Sequence, residues 1–192
     1  MTDTPIKDAA SVVLLRDAQS APKVLMGQRG KSAAFMPNKY VFPGGALDAS
    51  DDSPPAGGSC MARLGALGAP LLGAAVREVR EETGLVIQDP AHLRYFFRAI
   101  TPPARPRRFD ARFFIGFAEQ AIDGDLDDFS QADDELAHLH WVPLGDARAL
   151  NLPFITEVVL AEVEALSRHT SPPESVPFFD NSTAVSRFAR IF

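Results

Sequence analysis

The chain has 192 residues, 46% hydrophobic and 23% charged, which suits one globular domain able to bury roughly 70% of its unfolded surface without a staple. A net charge of −6 excludes nonspecific nucleic-acid binding, which rests on Lys and Arg at phosphates, but permits a small phosphorylated substrate accompanied by divalent cations. Cys60 is the only cysteine, so an internal disulfide and a cysteine-rich zinc site are excluded.

No stretch approaches the roughly 20 apolar residues that span a bilayer, and the first apolar run, Val12-Val13-Leu14-Leu15, is too short for a signal-peptide core. The expectation is a cytoplasmic protein with no membrane partner.

Residues 9–17 (AASVVLLRD) and 23–29 (KVLMGQR) flank a polar turn containing Pro22 and predict a hairpin or two neighbouring strands. Tyr40-Val41-Phe42 predicts a brief strand, stopped by a sharp turn at Pro43-Gly44-Gly45. Residues 48–59 are a polar loop rich in Pro, Gly and Ser, and 60–67 a short helix. A stronger helix starts near Pro70 and runs to Thr83, with Gly84 placed for a left-handed cap. Residues 93–101 and 111–118 predict aromatic-rich strands joined by the loop 102–108 (PPARPRR). An acidic loop, 123–135, leads to a short strand around Leu139 to Val142. Residues 154–168 carry Leu, Val and Ile at helical spacing, and the tail 170–192 is expected to pack on the body. Strands mixed with two or three helices on one core imply an α/β sandwich.

In the helix 70–83, Leu72, Val76, Val79 and Thr83 share a stripe that would seat it on the sheet. Glu78, Glu81 and Glu82 gather elsewhere at i+3 and i+4 steps and are expected to face outward together. Like charges so spaced destabilise a helix, so a cation should sit against them, and carboxylates on one rigid surface suit Mg²⁺ or Mn²⁺. Arg77 pairing with Glu81 would equally make REVREE a solvated, salt-bridged face. The context tips the balance: Phe42-Pro43-Gly44-Gly45 precedes, and Arg77-Glu78-Val79-Arg80-Glu81-Glu82-Thr83-Gly84-Leu85 ends in a glycine cap and an apolar residue.

The second half of that pattern resembles the Nudix box, GX5EX7REUXEEXGU with U apolar, and REVREETGL matches every specified position from REU onward. The front half departs. A compact box has thirteen residues between its glycine and arginine, whereas 31 lie between Gly45 and Arg77. An insertion within 48–69 accounts for the excess, and Asp48, Asp51 and Asp52 are the candidates to replace the early box glutamate.

The resemblance implies a single Nudix α/β/α sandwich over 1–192, with a mixed sheet and the box on a loop-helix-loop. It implies a metal-dependent hydrolase cleaving a nucleoside diphosphate linked to another moiety. Carried over by position, Glu78, Glu81 and Glu82 are the metal ligands and Arg77 orients them. Either Glu82 or Glu135, the latter before Trp141-Val142-Pro143, is the general base, and Glu135 reads equally as a solvated charge. Gly44 and Gly45 border the substrate. Arg29, Arg105, Arg107 and Arg108 offer guanidinium forks for phosphate, or else are surface arginines paired with acids such as Asp110. The four histidines lack metal-ligand spacing, with His138 and His140 read as structural, and Phe35, Phe96, Phe97, Phe113 and Phe114 read as core.

YVFPGGALDASD, the insertion, the box and ITPPARPRRFDARFF together resemble, over about 9–160, the Nudix 19-like subgroup related to mammalian acyl-CoA diphosphatases. That implies CoA or acyl-CoA as substrate. ADP-ribose, dinucleotides and nucleotide sugars stay open, as does a non-catalytic nucleotide-sensing module. A homodimer is a compatible assembly.

Overall fold

The computed structural model describes residues 4–51, 61–167, 171 and 173–192. Its first strand, β1 (Ile6–Arg16), is buried on both faces, which is why its sequence is a continuous apolar run rather than an alternation. Ala10, Val12 and Leu14 point into one core, while Val13 and Leu15 point into another on the opposite face. β2 (Lys23–Arg29) meets β1 only at Leu15–Val24 and Arg16–Lys23. The expected hairpin is therefore short. Most of β2 pairs instead with β7 (Leu136–Pro143), and β3 (Tyr40–Val41) pairs with β2 on its other side.

The Pro-Gly-Gly segment is more than a turn. Gly44–Ala46 forms β4, antiparallel to β1, with Ala10 opposite Gly45 and Ser11 opposite Gly44. Helix α1 (Gly68–Thr83) then crosses the face made by Ala10, Val12 and Leu14, and ends on Gly84 in the left-handed conformation (φ 77°). The short helix expected over 60–67 is two 3₁₀ turns, Met61–Arg63 and Gly65–Leu67. Residues 52–60, the middle of the insertion and including Asp52, lie outside the described residues.

β5 (Arg94–Ile100) and β6 (Arg108–Phe117) form an antiparallel pair, and β6 runs parallel to β1 from Ile6–Arg108 to Leu15–Phe117. The expected loop 102–108 is thus shorter, because Arg108 already belongs to β6. A one-turn helix, α2 (Ala118–Ala121), follows, and α3 (Phe154–Leu166) covers the second face with Val159, Leu160 and Val163. The tail extends the sheet rather than merely packing on it: β8 (Val176–Asp180) runs parallel to β5, and β9 (Arg187–Ile191) closes antiparallel on β8. Among the described residues this gives a mixed nine-stranded sheet between helices, an α/β/α sandwich. No helix among them is long and apolar enough to cross a membrane.

Candidate active site

The site lies where the β4 backbone meets α1. A methyl group on Gly44 (φ 153°) would overlap the Ala10 carbonyl in the β1–β4 pairing, and one on Gly45 would overlap the Glu78 carboxylate. Two glycines are needed because backbone is pressed against strand on one side and against helix acids on the other. The Gly44 amide donates to Glu82 Oε2 at 2.8 Å.

Glu78 and Glu82, four residues apart, share this face, and Glu82 is only 2% exposed. The expectation that all three acids face outward together is corrected here. Adjacent helix positions differ by about 100°, so Glu81 cannot share the buried face with Glu82, and its side chain is 51% exposed. The seating stripe is also wider than Leu72, Val76, Val79 and Thr83: Leu71, Ala74 and Ala75 are buried, while Val76 is partly exposed.

Burial pushes Glu82 up to about 8, reinforced by the charges of Glu78 and Glu135 and opposed by the Gly44 amide and Arg29. Burial also raises Glu78, against the pull of Arg77. Ionising both carboxylates in this dry corner is costly without further positive charge.

Arg77 supplies part of it and organises the rest. Its five N–H donors all find acceptors: Nε to Asp51 Oδ1 (2.8 Å), Nη1 to Glu78 Oε1 (2.7 Å) and Glu81 Oε2 (3.2 Å), and Nη2 to Asp51 Oδ2 (2.9 Å) and the Ala46 carbonyl (3.1 Å). Of the three aspartates considered for the missing early box acid, the bidentate partner of the box arginine is Asp51. It is 5% exposed, and Arg77 holds its carboxyl below the usual carboxylate range. Gly73 on α1 admits this loop, since a Cβ there would stand 2.6 Å from the Asp51 carbonyl. A small residue one helical turn before Arg77 was the signal for that approach.

The acidic loop docks on the C-terminal end of α1, where the Asp133 amide donates to the Glu81 carbonyl at 2.8 Å. Glu135 follows, its amide bonded to Asp133 Oδ1 and its carboxylate 2.9 Å from Arg29 Nη2. Glu78, Glu81, Glu82, Arg77, Gly44, Gly45, Arg29 and Glu135 are thus drawn into one region. Arg105 and Arg107 are exposed, and no hydrogen bond or ion pair joins them to these acids among the described residues. Arg108 is corrected from a loop residue to a buried strand residue, 2% exposed, whose guanidinium donates to the carbonyls of Thr101, Asn181 and Ser182. Asp110, considered as a partner for these arginines, pairs instead with Arg98 and Arg112. His138 and His140 are exposed on β7, the His140 ring lying edge-on to Tyr40, and His169 lies outside the described residues.

An open groove of about 1020 Å³ flanks Arg77 and Glu81 and is lined by Val76, Arg80, Ile87 and Gln131 among others. Among the described residues, no three acidic, histidine or cysteine side chains already stand as a metal-holding group. The donor chemistry nevertheless fits a hard divalent cation. Two neighbouring carboxylates face a glycine cradle, and among the described hydrogen bonds the buried one has a neutral amide as its partner.

A model of the NUDIX domain matches residues 5–163, and the chain belongs to the NUDIX domain family. It is 39% identical over 80 residues to "Putative nudix hydrolase 7" of Caenorhabditis elegans, a match covering 42% of this chain and only 22% of that protein's length. The fold superposes on the NUDIX hydrolase of Alicyclobacillus acidocaldarius with a TM-score of 0.66 at 25% identity, covering 86% of this chain and 94% of that one. It also superposes on the NUDIX domain of Shewanella oneidensis NrtR complexed with ADP ribose, with a TM-score of 0.56 at 16% identity over 84% and 88% of the two chains.

Proposed function

We propose that the chain is a hydrolase that cleaves the diphosphate linkage of a nucleoside diphosphate derivative, using Mg²⁺ or Mn²⁺ held by Glu78 and Glu82, with Glu81 as the third acid. The observation that carries this reading is the Gly44–Gly45 backbone pressed against two mutually repelling carboxylates on the box helix, Glu82 buried and Glu78 mostly so. A divalent cation bound there supplies neutralisation of phosphate charge and acidifies the attacking water. Arg77 orients Glu78 and Glu81 while Asp51 fixes Arg77. Arg29 lies beside these acids and binds a phosphate oxygen, with Arg105 and Arg107 as outer anion contacts. Glu135 or Glu82 receives the proton of the water.

Two features bear on the substrate. The residues shared with the Nudix 19-like proteins favour CoA or acyl-CoA, while likeness to the ADP-ribose-bound NrtR domain favours ADP-ribose. We read 1–192 as one NUDIX domain with an insertion at 48–69, and its compartment as cytoplasm on the strength of a lone cysteine. A product-identified assay over CoA, acyl-CoAs, ADP-ribose, NADH, dinucleotides and nucleotide sugars, with either cation, tests the activity. Turnover of at least one substrate, lost in Glu82→Gln with the fold intact, is expected. No turnover of any of them overturns the reading.

A second reading, a module that binds a nucleotide intact, is favoured by one observation: Arg77 already occupies both Glu78 and Glu81. Cation-dependent binding without product formation would support it.

A further inference from the structure

Arg29 sits at the end of β2, paired in register with Leu136 at the start of β7, which brings its side chain beside Glu135. Two contacts fix it unequally. Nε donates to the Phe35 carbonyl at 2.9 Å, and Nη2 donates to Glu135 Oε1 at 2.9 Å. The arginine side chain is 15% exposed and that of Glu135 51% exposed, so the guanidinium is anchored and the acid is the loose end of the pair. Among the described residues Nη1 has no hydrogen-bond acceptor, leaving a fork half used. The pair also lies within electrostatic reach of the box acids, since Glu135 disfavours the ionised forms of Glu78 and Glu82 while Arg29 favours that of Glu82.

We propose that Glu135 and the substrate's phosphate compete for the guanidinium of Arg29, so that Glu135 is an affinity-setting positioning residue, freed from its partner only when an anion is seated. This rests on the hydrolase reading above. A phosphate offers two acceptor oxygens to the fork and carries more charge than a single carboxylate oxygen engaged at one nitrogen. An exposed ion pair is worth a factor of about two to five, so it yields readily to such a competitor. Because Nε is tied to the main chain, Arg29 keeps its place during the exchange and only the acid swings away. The site thereby discriminates: a weakly charged ligand fails to displace Glu135, whereas a diphosphate does.

The test is calorimetric titration of the full chain with α,β-methylene-ADP and Mg²⁺, comparing wild type, Glu135→Gln, Arg29→Ala and the double variant. Glu135→Gln is expected to tighten binding by about two- to five-fold, and Arg29→Ala to weaken it. In the Arg29→Ala background, Glu135→Gln should leave Kd unchanged. Arg29→Gln, which removes the charge but keeps a long polar side chain, serves the same arm should Arg29→Ala fail to fold. If Glu135→Gln leaves the wild-type Kd unchanged, or tightens binding equally with and without Arg29, plain charge repulsion suffices and the proposal is overturned while the hydrolase reading stands. If wild type neither binds the probe nor turns over any diphosphate, both fall together.

Discussion

Asp51 grips Arg77 through both carboxylate oxygens, at 2.8 and 2.9 Å, and so ties the loop before the insertion to the box helix. The same guanidinium contacts Glu78 and Glu81, which makes its orientation the reference for both acids. Asp51→Asn keeps the shape but leaves Arg77 facing a neutral amide. Removing one partner of a mostly buried ion pair should cost about 2 kcal/mol, roughly 4–8 °C in melting temperature for a chain of this size. Turnover should fall about 10–100-fold, the usual effect of losing a group that orients metal ligands. Steady-state assays beside thermal melts check both figures, and wild-type turnover in Asp51→Asn would show that Arg77 needs no such anchor.

Adjacent glycines carry opposite consequences. Gly44→Ala forces a methyl group into the Ala10 carbonyl within the β1–β4 pairing, at a backbone angle alanine resists, and should destabilise the fold by about 1–3 kcal/mol. Gly45→Ala meets the Glu78 carboxylate, the end of a flexible side chain that can move aside. That variant should melt near wild type yet require more cation for half-maximal turnover. Cation titrations of activity alongside calorimetry distinguish the two, and equal losses of stability would contradict the assignment.

Much of the candidate site's geometry was legible in the sequence because it rests on short-range periodicity. Glu78 and Glu82 at i,i+4, the Gly84 cap and the twin glycines all stand where their spacing predicts. The burial of Glu82 was not legible, because helical spacing tells which residues share a face but not that β4 would cover it. Nor was the choice among Asp48, Asp51 and Asp52, which depends on where a loop of unusual length lands. The notch at Gly73 fixes that landing. Arg108 misled for a related reason: RPRR reads as one exposed run, yet its last residue enters a strand whose pairing with β1 buries it. The aromatic tail gave no strand period clear enough to foretell β8 and β9, whose place depends on the distant edge offered by β5.

The buried Glu82 carboxyl makes stability and cation binding depend on pH in opposite senses. Its folded-state value, about 8, lies above the ordinary 4.5, so the folded protein retains a proton that the unfolded chain releases. This contribution to stability is complete below about pH 4.5 and is lost as pH rises through about 8. Without cation, Glu82→Gln should therefore melt above wild type at pH 9 and match it near pH 5, the gap opening as pH rises between them. Cation binding requires the ionised form, so affinity should rise with pH up to about 8, with proton release on binding. Melting curves and cation titrations across pH 5–9 check both trends, and a pH-independent cation affinity would contradict the role given to Glu82.

Three neighbouring arginines should separate cleanly when truncated. Arg108 is buried and holds the Thr101 carbonyl on one side and the Asn181 and Ser182 carbonyls on the other, joining the β5–β6 connection to the turn between β8 and β9. Arg108→Ala removes a charged donor from several buried acceptors and should cost about 2–4 kcal/mol, with any change in turnover following the loss of folded protein. Arg105 and Arg107 stand exposed in the preceding loop, so alanine there should leave stability within about 0.5 kcal/mol. If those side chains meet the substrate's charged end, KM should rise severalfold at constant kcat, and more at low than at high ionic strength, because exposed charge contacts are screened by salt. Should KM for every diphosphate tested stay unmoved in the double alanine variant, the anion contacts of the site reduce to Arg29 and the bound cation.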